Sequence, residues 1–270
     1  MADSSRRVKR EPRSSHRAAA SQQQSSANIA VNTANTASSI ERFDLVDIGL
    51  ALLGFASGTM DVLAFFNLGE VFPSAMTGNT ALLGLAVGQG DLIGASRPFA
   101  AFAGFLAGAA AAKTSADLWL DGLPPARRSS LLLTLEACLL AIFALGWLLI
   151  GHPLTTVGLY GLIIVASSAM GIQSIVAWLA GRPGVTTVVF TSTLASIVTS
   201  ATEAVLHSPP RLPFATKRQI WMFVIYGAGA AVGGLLASHK APVAALLPLL
   251  AVAGATGFHW RATKQNGSRT

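Results

Sequence analysis

The residues best placed to do chemistry in this chain are polar groups set inside long apolar runs. Asp61 lies five residues before the end of an otherwise apolar run, 48–66. A carboxylate near the centre of a membrane costs about 2.5–3.5 kcal/mol on insertion scales, so it must face protein or water. Two roles are open to it. It can couple to a proton or cation, or touch a polar solute. Alternatively it can be a structural acceptor for a nearby hydroxyl or helix end, with Ser57 and Thr59 serving local backbone. The cluster Met76-Thr77-Gly78-Asn79-Thr80 interrupts a second run, 71–87, that also holds Pro73. Glycine lets the backbone unwind or approach a ligand. Threonine and asparagine offer donors and acceptors without charge. Such a cluster suits the polar turn of a broken helix that holds a solute. The alternative is interhelical hydrogen bonding, at about 0.6 kcal/mol per contact. In the second half of the chain, Gln173 follows Gly171, and Thr191-Ser192-Thr193 lies in the run 184–202. The candidate solute- or ion-binding residues are therefore Asp61, Thr77, Gly78, Asn79, Thr80, Gln173, Thr191 and Thr193. Glu136 lies about two turns inside the run 131–150, near enough to one end to reach the interface or pair with Arg127 or Arg128. Glu203 and His207 end a run and face water.

Composition fixes what must position these groups. Of 270 residues, 52% are hydrophobic and 11% charged, and mean hydropathy is +0.55. A soluble domain carries about 25% charged residues. An ordinary cytosolic enzyme, a coiled coil and a wholly disordered chain are excluded. Eight apolar segments follow one another: 48–66, 71–87, 98–112, 131–150, 154–180, 184–202, 220–237 and 241–257. A helix rising 1.5 Å per residue needs about 20 residues to cross a hydrocarbon core of about 30 Å. Backbone groups in lipid must be satisfied within the segment, and the runs are too long for barrel strands. The expected fold is an all-α polytopic membrane protein with a basic, disordered tail over 1–42, a helical transmembrane domain over 43–258 and a short basic tail over 259–270. The first tail holds seven Lys and Arg against three Asp and Glu. It is not followed by a signal-like apolar core. Lys and Arg resist translocation, so this tail is expected in the cytoplasm. No basic face interleaved with aromatics appears, which argues against nucleic acid. The single cysteine, Cys138, excludes an internal disulfide and reads as a small packing residue.

The two halves look alike. Gly58 is followed by Asp61 and then by Thr77-Gly78-Asn79-Thr80; Gly171 is followed by Gln173-Ser174 and then by Thr191-Ser192-Thr193-Leu194. Each half then has a small-residue helix, Gly104-x-x-x-Gly108 or Gly229-x-x-x-Gly233. Charge distinguishes two topologies. If all eight segments cross, the basic loop residues show no bias between the two sides. If segments 71–87 and 184–202 enter and leave on one side, Lys113, Arg127, Arg128, Arg182, Arg211, Lys217 and Arg218 lie inside. Arg97 and Lys240 then remain outside, in line with the positive-inside rule. That topology has six full spans plus two short or broken segments and makes the halves an inverted repeat. Eight full crossings is the alternative. The sequon Asn266-Gly267-Ser268 stays inside in both. The Gly-x-x-x-Gly faces, which include Gly54-x-x-x-Gly58 and Gly84-x-x-x-Gly88, allow close internal packing or homo-oligomerisation. Nucleotide-loop, nucleophile-elbow and zinc-protease motifs are absent, and the five histidines are scattered. Neither enzyme activity nor a cofactor is expected.

Gly58-Thr59-Met60-Asp61, followed by Phe72-Pro73-Ser74-Ala75-Met76-Thr77-Gly78-Asn79-Thr80, resembles the YoaK-like family, a domain of unknown function in bacterial and fungal membrane proteins. The family pattern is a glycine with an aspartate three residues on, then a phenylalanine leading into Met-Thr-Gly-Asn. A later Gly-x-Gln-Asn pattern is similar to Gly171-Ile172-Gln173-Ser174, and Thr-Gly-Thr-Leu to Thr191-Ser192-Thr193-Leu194; serine replaces one residue in each. The resemblance covers roughly 45–258 and implies an integral inner- or plasma-membrane protein without an established substrate. Taken together, the expectation is a transporter-like protein for a small solute or ion in the lipid bilayer. A non-transporting scaffold or sensor is the second expectation.

Overall fold

The computed structural model describes residues 43–150, 154–181, 190–206, 212–239 and 241–267. The tail over 1–42, the start of the 184–202 run, His207 and the end of the sequon lie outside these residues. The fold is all-α. Its helices are α1 (Leu45–Asn67), α2 (Met76–Gly88), α3 (Leu92–Leu118), α4 (Pro125–Leu149), α5 (Thr156–Leu179), α6 (Phe190–Leu206), α7 (Phe214–Ser238) and α8 (Leu246–Gly267), the last preceded by a 3-10 turn, Pro242–Ala245. Six of them, all but α2 and α6, are long and apolar enough to cross a membrane.

Helix starts follow local chemistry. Asp44 accepts the Asp47 backbone N–H at 2.9 Å while the Asp47 carboxylate accepts that of Asp44 at 3.2 Å, a capping box that opens α1. Thr155 caps α5 and Asp91 caps α3. Pro125 and Pro242 stand at first-turn positions, where a missing N–H costs nothing. The apolar 98–112 run is only the middle of α3, because Ser96 and Arg97 separate it from the helix's true start at Leu92.

α1 and α5 form the centre. α1 packs on α7 and α8, α5 packs on α3 and α4, and α4 meets α8. The α1–α7 and α3–α5 pairs approach until backbones touch. A methyl group on Gly58 would overlap the Tyr226 carbonyl oxygen, and one on Gly171 would overlap that of Phe105. Gly229 stands likewise against Phe55, and Gly108 against Ser168. These contacts run in the same direction along both helices, so each pair is parallel. Gly84 and Gly88, by contrast, meet nothing within 4 Å. Cys138 is exposed on the outside of α4 rather than packed.

The short α2 does not separate its neighbours. Arg97, early in α3, lies against Gly69, just past the end of α1; a methyl group on Gly69 would stand 2.7 Å from Arg97 Cδ. The start of α3 is therefore beside the end of α1. The segment between them, 13 helical residues of it, leaves and returns at one end of the bundle.

Candidate functional site

The site begins with a reversal. After α1 the backbone takes two left-handed residues, Gly69 (φ 81°) and Glu70 (φ 65°). Glycine is needed at the first both for this conformation and for the arginine beside it. The chain then turns back along α1. Phe72 stacks on Phe65 at 5.1 Å, and Ser74 reaches the level of Asp61. Val71, Pro73 and Ser74 are buried, although the backbone here is irregular. Buried backbone without a partner is costly, so something must satisfy it. Two side chains do.

Asp61 accepts the Ser74 backbone N–H at 2.8 Å, the Ser74 hydroxyl at 2.6 Å and the Tyr226 hydroxyl of α7 at 2.8 Å. Asn79, one turn into α2, works like a strand partner. Its Oδ1 accepts the Phe72 N–H at 2.9 Å and its Nδ2 donates to the Phe72 carbonyl at 2.7 Å. Gly78 makes room for the Phe72 ring, 3.0 Å from where a methyl group would sit. The Met-Thr-Gly-Asn block thus has a local physical reason: Gly78 admits the ring and Asn79 binds the backbone that carries it. Thr80 bonds the Met76 carbonyl at 2.9 Å, and both Thr77 and Thr80 face outwards.

Gln173 of α5 reaches α1 one turn before Asp61. Its Nε2 donates to the Leu53 carbonyl at 3.0 Å and to the Ser57 hydroxyl at 2.6 Å. Thr193 is buried on α6, which meets α7 through Ser196 and Gln219 at 3.3 Å. Thr191 falls outside the described side chains. The structure therefore gathers Asp61, Gly78 and Asn79 around one turn and sets Gln173 beside α1. Thr193 is carried on a separate helix. Ser74 and Tyr226 were missed as partners of Asp61, although Tyr226 is one of only two tyrosines in the chain and sits deep in an apolar run. Glu136 also differs from expectation. Because α4 begins at Pro125, Glu136 is three turns in and 0% exposed, while Arg128 pairs with Asp121 at 3.3 Å.

The Asn79 lock can be tested by stability. Asn79→Ala takes the side-chain partners from the part-buried Phe72 N–H and carbonyl, at up to about 1–3 kcal/mol each. Thermal unfolding in detergent should show a drop of several degrees. Thr80→Ala, at an outward position, should change little. Equal melting curves for the two variants would refute the lock.

Among the described residues no group of three His, Cys, Asp or Glu could hold a metal ion. No solved structure matches the chain. A curated relative, the UPF0700 transmembrane protein YoaK of Bacillus subtilis (strain 168), is 31% identical over 193 residues, which span 69% of this chain and 81% of that protein. The profile described as "Protein of unknown function (DUF1275)" matches residues 49–258, nearly the whole helical region. The buried turn around Asp61 and Asn79, the six long apolar helices and these two matches lead to one assignment: the chain is a multi-pass membrane protein of the DUF1275, YoaK-like family.

Proposed function

We propose that the chain moves a small solute or ion across the plasma membrane, by alternating access between two inverted halves, α1–α4 and α5–α8, with the N-terminus in the cytoplasm. The observation that carries this is the equivalence of the close helix pairs. Gly58 of α1 meets Tyr226 and Ala230 of α7, and Gly171 of α5 meets Phe105 and Ala109 of α3. Each half lends its third helix to the first helix of the other. α1 and α5 meet antiparallel, since Ser57 touches both Met170 and Gln173 while Gln173 also reaches back to Leu53. Parallel pairs exchanged between antiparallel halves are what a two-fold axis in the membrane plane produces, and transporters built this way place sites at broken helices near that axis.

Asp61 would be the coupling group. It ties α1, the 71–75 turn and α7 together through three donors. A proton or cation arriving there competes with Ser74 and Tyr226, so occupancy and the position of α7 are linked. Thr77, Gly78, Asn79 and Thr80 would shape the solute side, with Gln173, Thr191 and Thr193 supplied by the other half. Flux in liposomes carrying the purified protein tests this. Asp61→Asn should abolish the flux seen with wild type across a panel of ions and small metabolites. Wild-type protein inert across that panel, or flux unchanged in Asp61→Asn, would remove these residues from transport.

A further inference from the structure

A second polar site lies on the opposite face of α5 from its contact with α3. α4 and α5 run antiparallel: a methyl group on Gly146 would stand 3.0 Å from Leu162, and one on Gly158 would stand 3.1 Å from Ile150. Glu136 lies on the buried face of α4, which packs on both α5 and α8. Gln173 lies three helical turns beyond Leu162, on the stripe of α5 that faces α4. Counting equal steps from the Gly146–Leu162 contact brings Glu136 level with Ile172. The two polar residues thus stand at one level of the bundle, and that level is the middle of α1, where Gln173 bonds Leu53 and Ser57.

Both residues are 0% exposed. Among the described residues neither carboxyl oxygen of Glu136 has a hydrogen-bond donor, and neither does Oε1 of Gln173, whose Nε2 is engaged by α1. α5 carries no Asp, Glu, Lys, Arg or His. The titratable groups on the packed helices are turned elsewhere. Tyr160 bonds Ser96, Asp61 bonds Ser74 and Tyr226, Asp47 pairs with Arg218, and His259 lies against Gly49 at the far end of α1, two residues before Arg261. An ionised carboxylate so placed is strongly disfavoured, with no donor or cation to offset its lost hydration. The three acceptors include two from one carboxyl. That is far short of the six or so oxygens with which a protein replaces the hydration of a hard cation. A proton is the ligand that turns such a group from three acceptors into a donor and acceptors.

We propose that Glu136 is an exchangeable proton-binding site at the middle of the helix bundle, with Gln173 Oε1 the acceptor offered at its level. Proton uptake converts the carboxylate to the acid; release to water reached when the halves move restores it. The site deepens the transport reading by naming a proton as its coupling ion, yet it can be measured without any flux. Infrared difference spectra of the purified full-length protein in lipid nanodiscs, recorded across pH steps and in D2O, are the test. Wild type should show the carbonyl stretch of a protonated carboxyl that titrates and moves in D2O. Glu136→Gln should lose that band, Glu136→Asp should displace it, and Asp61→Asn should keep it. A band that is missing from wild type, survives Glu136→Gln or fails to exchange in D2O would overturn the site. So would one that disappears on adding sodium or potassium chloride at fixed pH, because a metal cation would then own the carboxylate. If Glu136→Gln does not yield folded protein, the wild-type band and its displacement in Glu136→Asp decide the matter. The expected spectra in a protein that moves nothing would leave the proton site standing and remove only the transport reading.

Discussion

Gly58→Ala and Gly171→Ala should each lower the thermal midpoint by several degrees, and by similar amounts. Each new methyl group meets backbone, not the yielding tip of a side chain: Tyr226 carbonyl and Ala230 N in one case, Phe105 carbonyl and Ala109 N in the other. Forcing extra carbon into a packed contact costs about 1–3 kcal/mol, and more where a helix axis must shift. Alanine returns roughly 1 kcal/mol of helix propensity relative to glycine. The net loss should still be visible, since about 1 kcal/mol corresponds to about 2–4 °C in a domain of this size. Gly161→Ala and Gly227→Ala are the controls. Neither position has an atom within 4 Å of the added carbon, so propensity alone acts and the midpoint should stay or rise. Differential scanning fluorimetry of the four variants in one detergent is sufficient. If Gly58→Ala and Gly171→Ala track the controls, the close helix pairs are not as described. If only one of them is damaging, the equivalence of the two halves fails.

The same glycines show where sequence was informative. Gly58, Gly171 and the Gly-x-x-x-Gly pairs of α3 and α7 could be picked out by type and spacing, because close backbone approach has few solutions other than glycine. Which glycines meet which was not readable. Gly84-x-x-x-Gly88 has the same pattern and faces open space. Eight membrane segments followed from apolar run lengths and the six long helices from the basic residues between them, whereas α3 and α4 begin earlier than their apolar runs because Arg97 interrupts the first and Arg127 and Arg128 the second. That shift moved Glu136 from a place near the interface to the interior. Asp61 and the Met76–Thr80 block stood out as polar groups in apolar runs. Their hydrogen bonds did not, since Asp61 reaches Tyr226 across 165 positions in sequence and Asn79 acts on backbone atoms that every residue type carries.

Arg218→Met should be the most damaging single change outside the glycine contacts. Arg218 is 1% exposed, lies 3.0 Å from the Asp47 carboxylate and stacks over the Phe214 ring at 5.2 Å. Asp47 is as deeply buried and also closes the capping box of α1. Removing the arginine takes its cationic partner from this carboxylate in a place water does not reach. Breaking a buried pair from one side costs about 3–5 kcal/mol. A cation over an aromatic ring adds about 0.5–1 kcal/mol or more when desolvated. Arg218→Lys should recover only part, because an ammonium cannot present a planar face to Phe214 and an edge to Asp47 together. The double variant Asp47→Asn with Arg218→Met should be more stable than Arg218→Met alone, since no uncompensated charge then remains. Lys113 and Asp117 supply the contrast. They pair one turn apart on α3 with both side chains well exposed, and Lys113→Met should shift stability by less than about 1 kcal/mol. Salt should separate the two pairs as well: raising ionic strength screens the exposed pair and leaves the buried one largely untouched. Melting curves of the five proteins at low and high salt would show it. An Arg218→Met variant as stable as wild type would mean that α1 and α7 are held at this end by the glycine contacts alone.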